Sequence, residues 1–312
     1  MAPPPYVDAA RLSALLPMRD AVDALEATFA RDPLPDAPPR SHVALDDGTL
    51  LLMPSAATAE GAGVKLVTVN PDNPAHGRPL IQGVYVLFEP GSLAPLVIFD
   101  GAAITALRTA AVSGLATRHL ALEGRARVAI FGAGAQARAH LEAISAVRPL
   151  ERVWCISPTQ ARRDELLALA GRLGIEAAAA EPGAVAEAEI VCTCTTSASP
   201  VFDGARLAPG AHVNAVGAFR RDARELDGET VRRGRVVVET RAVALEEAGD
   251  LLIPLEQGVI DRGHIVADLS ELVRGARVRR DERDVTVFKS VGVAFEDLAV
   301  ARAAYERLRS PT

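Results

Sequence analysis

Cysteine, long apolar runs and any excess of positive charge are scarce or missing in this chain. Three cysteines in 312 residues (Cys155, Cys192, Cys194) cannot build a disulfide framework. Cys192 and Cys194 alternate along an expected strand, with no further Cys or His at ligand spacing. They are therefore expected to pack in the core rather than hold an ion. The six histidines are scattered without an H-x-x-x-H pair, so no metal site is expected. Acidic residues outnumber basic ones by 40 to 34, and the net charge of −6 argues against a nucleic-acid or membrane-surface partner. No apolar run approaches a membrane span, and the start Met1-Ala-Pro-Pro-Pro-Tyr6 has no signal-peptide pattern, which makes the cytoplasm the expected location.

At 49% hydrophobic and 24% charged residues, the composition is that of a soluble globular protein, and the length suits two domains that each bury a core. The organising stretch is Arg127 to His140. Val128 to Phe131 is a short apolar run fit for a buried parallel strand, and it ends at Gly132-Ala-Gly134-Ala135-Gln136-Ala137. A helical pattern follows through Ala137, Leu141 and Ile144. A strand turning through glycines into a helix aims backbone N–H groups and the positive helix end at one point, which suits a pyrophosphate. Gly132 allows the turn, Gly134 lets a phosphate approach, and Ala137 stands where G-x-G-x-x-G/A closes. An ordinary glycine-rich strand–helix turn would look similar.

In chain order, residues 7–31 read as two helices, and residues 32–39 as a proline-rich loop. The loop delivers Arg40 into one strand-like segment that ends at Leu50-Leu-Leu-Met53. Gly63 to Asn70 is a strand containing Lys65, and Gly83–Phe88 with Ala94–Phe99 forms a hairpin. Asp100 to Thr117 is helical, carrying Arg108 and Thr109 among small residues. From 119 onward strands are expected at 127–131, 152–157, 175–180, 190–195, 212–216 and 235–239, alternating with helices. That alternation predicts an α/β fold with a doubly wound parallel sheet of the Rossmann type. The tail from Thr286 runs into a last helix, Phe295 to Leu308, expected to return to the first domain. The expected division is 1–118 plus 293–312 for an α+β substrate-binding domain, and 119–292 for the inserted nucleotide domain.

The second strand of the nucleotide domain ends at Ser157, with Thr159, Arg162 and Arg163 close behind and no carboxylate. Hydroxyls and a guanidinium suit a 2′-phosphate better than a bare ribose, so NADP(H) is favoured over NAD(H). In the first domain Arg40, Lys65 and Arg108 sit amid apolar residues, with no acid at pairing distance on the same face as Lys65 or Arg108. A buried cation needs a partner. A substrate carboxylate or long-range structural ion pairs would each serve.

Several stretches together resemble the ornithine cyclodeaminase/mu-crystallin family. They are Lys65-Leu-Val-Thr, Asp100 to Ala111, Gly132 to Ala137, Asn214-Ala-Val-Gly-Ala218, Asp222-Ala-Arg-Glu-Leu-Asp227 and Thr286-Val-Phe-Lys-Ser-Val-Gly292. The resemblance implies a homodimer, an NAD(P)-binding Rossmann domain, and a substrate carboxylate held by Arg40, Lys65 and Arg108. It also implies that Thr109, Asn214 to Gly217 (with Val216) and Ser290 to Gly292 lie near the cofactor. Thr195, at the end of the expected strand 190–195, joins them as a candidate. Cyclodeaminases of this family carry one Asp directly after Val-Gly-Gly and a second acid two residues before Met-Pro. Here those positions hold Phe219 and Leu51. The match is therefore to mu-crystallin and the ketimine reductases, and implies NAD(P)H-dependent reduction of Δ1-pyrroline-2-carboxylate or Δ1-piperideine-2-carboxylate, with Lys65 or Gln82 assisting at the imine. An ornithine cyclodeaminase, an alanine- or opine-type dehydrogenase and an NADPH-dependent small-ligand binder are the alternatives.

Overall fold

The computed structural model describes residues 3–309. The chain divides into two units, 1–108 with 292–312 and 109–291, so the second interrupts the first. The boundary expected at 118 lies within a helix, Gly101–Leu120, that runs on past the division at 108.

Unit 1 opens with β1 (Tyr6–Val7), α1 (Ala9–Leu15) and α2 (Met18–Phe29). Then come β2 (Ser41–Leu45), β3 (Gly48–Ala57), β4 (Gly61–Val69), β5 (Ile81–Phe88) and β6 (Pro95–Asp100). They form one mixed sheet in the order β1-β6-β5-β4-β3-β2. The segment read as one strand from Arg40 to Met53 is a hairpin, folded at Asp46-Asp47. Asp46-Asp47-Gly48 is turn chemistry, and it reverses the chain two residues after Leu45. Side chains alternate across this sheet. Leu51, Met53, Lys65, Val67, Tyr85 and Leu87 are buried on the inner face, while Leu52, Val64, Leu66, Val84 and Val86 on the outer face stay partly exposed. The chain's last helix, Ala294–Arg309, packs against α2, β3, β4 and β5, with Phe29 and Phe295 edge to face at 5.1 Å.

Asp100 starts α3 (Gly101–Leu120) by accepting from the N–H groups of Ala102 and Ala103. Unit 2 continues with β7 (Ala126–Phe131), α4 (Ala135–Val147), β8 (Leu150–Ile156), α5 (Gln160–Arg172), β9 (Glu176–Ala179), β10 (Ile190–Thr193) and β11 (His212–Ala215). It ends with α6 (Gly228–Arg233), β12 (Gly234–Val238), α7 (Arg241–Glu247), α8 (Gly249–Glu256), β13 (Ile265–Asp268), α9 (Leu269–Val273) and β14 (Val285–Lys289); the last helix is α10. All eight strands pair in parallel, ordered β13-β12-β14-β11-β10-β7-β8-β9, with one apolar cluster on each face. The chain builds outward from β7 to β9, then restarts at β10 on the other side of β7. The point where strand order reverses is therefore β7/β10. β13 and β14 were not among the expected strands. β14 lies inside the sheet between β11 and β12. Among the described residues, no helix is long and apolar enough to cross a membrane.

Candidate active site

In unit 1 the strand β4 carries Lys65 inward between Met53 of β3 and Tyr85 of β5. α10 brings Glu296 and Asp297 to the same face. Lys65 Nζ donates to Asp297 at 2.9 Å, and Arg108 meets Glu296 at 3.0 Å and Asp297 at 3.3 Å. Arg40, just before β2, donates to the carbonyl of Gly292. Gly292 has a φ of +84°, and a Cβ there would stand 2.2 Å from the Arg108 guanidinium, so only glycine fits. Gly292, expected beside the cofactor, thus belongs to this cation cluster. Three cations and two carboxylates sum to +1. Lys65 is pushed down to about 8, first by burial and then by Arg108 and Arg40, against the opposing pull of Asp297. The direction expected from a cation cluster is present, but desolvation is its larger cause.

The acids that pair Lys65 and Arg108 come from α10, far away in sequence, which is why the local reading found none. Gln82 does not join the cluster. It pairs with Thr68 on the outer face, exposed, because strand periodicity turns it away from Lys65.

In unit 2 the turn after β7 takes the expected form. Gly132 has a φ of +94°, and a Cβ there would lie 2.5 Å from the Cys194 carbonyl. Gly134 is the N-cap of α4, and a Cβ there would meet nothing within 4 Å. The first-turn N–H groups of Ala135, Gln136 and Ala137 have no partner within the helix, and the open space beside Gly134 leaves room for a phosphate to approach them. Ala137 is fully buried, letting α4 pack closely on the sheet. Ser157 follows β8, half-buried, with Arg163 donating back to its carbonyl, while Thr159 and Arg162 are exposed.

The rim on the other side of β7 rests on buried charge. Glu225 accepts four hydrogen bonds, each of 2.7 Å, from Thr193 Oγ1, Thr195 N–H, Thr195 Oγ1 and Gly217 N–H. Asp250 accepts the Glu225 and Leu226 N–H groups and pairs with Lys289 at 2.8 Å. Lys289 also donates to the carbonyls of Ala215 and Ala218. Val216, at the end of β11, bonds back to Thr193. Ser290 gives its hydroxyl to Glu239, and Thr109 is buried on α3. Asn214 is a core residue, bonded to Thr117 and His212. Glu225, Asp250 and Glu239 escaped the sequence reading, although the Asp222–Asp227 stretch had marked the neighbourhood. Cys192 and Cys194 pack in one apolar cluster, and burial pushes the Cys192 thiol up to about 12. Among the described residues no group of His, Cys, Asp and Glu could hold a metal.

The model of the ornithine cyclodeaminase/mu-crystallin family matches residues 7–312. The chain belongs to that family. It is 38% identical over 291 residues to a Delta(1)-pyrroline-2-carboxylate reductase of Bacillus cereus, covering 90% of this chain and 86% of the relative. It is 37% identical over 265 residues to the rat ketimine reductase mu-crystallin, covering 85% and 82%. The solved Thermococcus litoralis Delta(1)-pyrroline-2-carboxylate reductase, in complex with NADH and L-proline, superposes with a TM-score of 0.93 at 36% identity, covering 97% of this chain and 96% of that one. The two positions expected to be acidic in a cyclodeaminase, Leu51 and Phe219, are apolar. Leu51 is buried on the inner face of unit 1, and Phe219 packs against a core cluster of unit 2.

Proposed function

We propose that the protein reduces cyclic imino acids, Δ1-pyrroline-2-carboxylate and Δ1-piperideine-2-carboxylate, to proline and pipecolate with a reduced nicotinamide dinucleotide. The observation that carries the reading is the convergence of three cations on one face of unit 1, Lys65 and Arg108 buried and Arg40 half-buried on the Gly292 carbonyl. A substrate carboxylate suits such a cluster. The guanidiniums of Arg40 and Arg108 clamp the carboxylate, fixing the adjacent C=N carbon. Orienting bound reactants in this way contributes on the order of 7–11 kcal/mol to such reactions. Below pH 8 Lys65 is an ammonium and can keep the imine nitrogen protonated, which makes the carbon electrophilic. No general base is needed, and the apolar Leu51 and Phe219 offer none. That favours reduction over cyclodeamination of ornithine.

Gly132, Gly134, Ala135 and Gln136 fit the pyrophosphate of the dinucleotide, and Thr195, Val216 and Gly217 form the rim for its nicotinamide half. When bound, the reduced nicotinamide supplies the hydride. NADPH is preferred through Ser157, Thr159 and Arg162, with no carboxylate at the end of β8 to repel a 2′-phosphate. Arg163 is the arginine already tied to the loop. The same reading makes the protein a homodimer, joined through the apolar outer face of the unit 1 sheet around Leu52, Leu66 and Val86.

The test is NADPH and NADH oxidation with each imino acid, beside ammonia release from ornithine. Fast oxidation with NADPH ahead of NADH is expected. Ammonia release from ornithine without imine reduction would overturn the reading.

A further inference from the structure

The geometry points to Glu225 as a positioning residue for the nicotinamide half of the cofactor, an inference that rests on the nucleotide-binding reading of unit 2. A dinucleotide bound at the β7/β10 reversal lies across the C-terminal strand ends, with its adenosine half toward β8 and its other half toward β10 and β11. The Gly132 turn serves the first half and the middle. The second half depends on the loops after β10 and β11, which carry Thr195 and Gly217. Those two loops are joined below the rim by one side chain. Glu225 takes Thr195 N–H and Oγ1 on one oxygen, and Thr193 Oγ1 and Gly217 N–H on the other. A Cβ on Gly217 would come within 2.5 Å of that carboxylate, so the loop is seated directly on it.

Two of the four donors are backbone N–H groups, and all four point at carboxylate oxygens. Only the ionised carboxylate can accept all of them. Burial, the largest cause, raises this carboxyl's pKa and Asp250 adds to the rise, while Thr195, Lys289 and Thr193 oppose it without reversing it. The wider network of Lys289, Asp250 and Glu225 sums to −1 and is fully buried. Its surplus negative charge matches the positive charge that appears on a nicotinamide ring as it gives up hydride. The Gly132 turn meets the same loop at Cys194, whose carbonyl would lie 2.5 Å from a Cβ on Gly132, whereas Glu225 itself holds Thr195 and Gly217, so its main influence falls on the half of the cofactor that those two residues face.

The discriminating experiment compares binding of NADPH, NADP+ and 2′-phospho-ADP-ribose by wild type and Glu225→Gln. An amide has one acceptor oxygen and turns donors against Thr195 and Gly217. NADPH and NADP+ should each bind about tenfold or more weakly, the size of a lost charge-assisted hydrogen bond, with NADP+ losing more. 2′-Phospho-ADP-ribose, which lacks the nicotinamide, should keep its affinity within about twofold. Equal loss for all three ligands, or no loss for any, overturns the inference. If the wild type binds none of them, the nucleotide reading fails and this inference with it. Should Glu225→Gln not fold, Thr193→Val removes one donor from a fully buried site and keeps the shape. It should show the same selective loss at about twofold to fivefold, and unchanged NADPH binding there overturns the inference as well.

Discussion

Among the described residues each unit carries an ionic network with buried members, cations outnumbering carboxylates in one and carboxylates outnumbering cations in the other. In unit 1, Arg40, Lys65 and Arg108 outweigh Glu296 and Asp297; in unit 2, Glu225 and Asp250 outweigh Lys289. Surplus charge at such depth is costly unless hydrogen bonds or a ligand complete it. In unit 2 the completion is internal, since the excess carboxylate is saturated by four donors. In unit 1 cations predominate, and the proposed ligand is the substrate carboxylate. On the proposed function, one network is a finished support and the other a receptor.

The strongest way to break this contrast is Arg108→Ala. It removes the guanidinium from Glu296 and leaves Asp297 to Lys65 alone among the cluster's cations, so unit 1 should lose about 3–5 kcal/mol of stability, and turnover should vanish. NADPH binding, measured by fluorescence, should survive because Arg108 does not belong to unit 2. Loss of both would assign Arg108 a purely structural role. A finer probe is Leu51→Glu. Leu51 is diagonal to Lys65 across β3 and β4, so a carboxylate there would cancel the surplus. The imino-acid KM should rise about tenfold or more, a loss of the order of 1.4 kcal/mol in substrate binding, with little change in NADPH affinity. An unchanged KM would show that the charge sum does not matter.

The pH profile sharpens the same point. The Lys65 ammonium is present below its lowered pKa, so kcat/KM should fall as pH rises through about 8. Lys65→Met should remove that limb, and a profile flat to pH 10 in the wild type would contradict the role. The smallest expected effect is on unit 2. Burial pushes His140 down to about 4 and His212 to about 3, so both stay neutral inside. The unfolded chain takes up these protons first, near its ordinary pKa of about 6.5. The stability these residues contribute is complete above that value and is lost as pH falls from there toward 4. The thermal midpoint should drop over that range, and His140→Gln should lessen the drop.

The two networks were unequally legible. The turn from Gly132 to Ala137 was readable because strand, glycines and helix are contiguous. The two acids of α10 were not, since Asp297 meets Lys65 across 232 residues of chain and looks locally like a helix-start acid. β14 was missed for a related reason. Its Lys289 interrupts the apolar run, yet it is fully buried on Asp250. Gln82 was misjudged through face, not position. Its place on the outer side of β5 follows from a register that the sequence does not state. Glu225 lay in a recognised stretch, but its four donors come from three residues at the ends of β10 and β11 that only the folded sheet brings together.

The most direct test of the receptor claim compares NADPH oxidation with Δ1-pyrroline-2-carboxylate and with unsubstituted Δ1-pyrroline, which keeps the ring and the imine. If the cation cluster of unit 1 holds the carboxylate, kcat/KM should favour the acid by about a thousandfold or more, the scale of two charge-assisted contacts. Equal efficiency with both imines would contradict it.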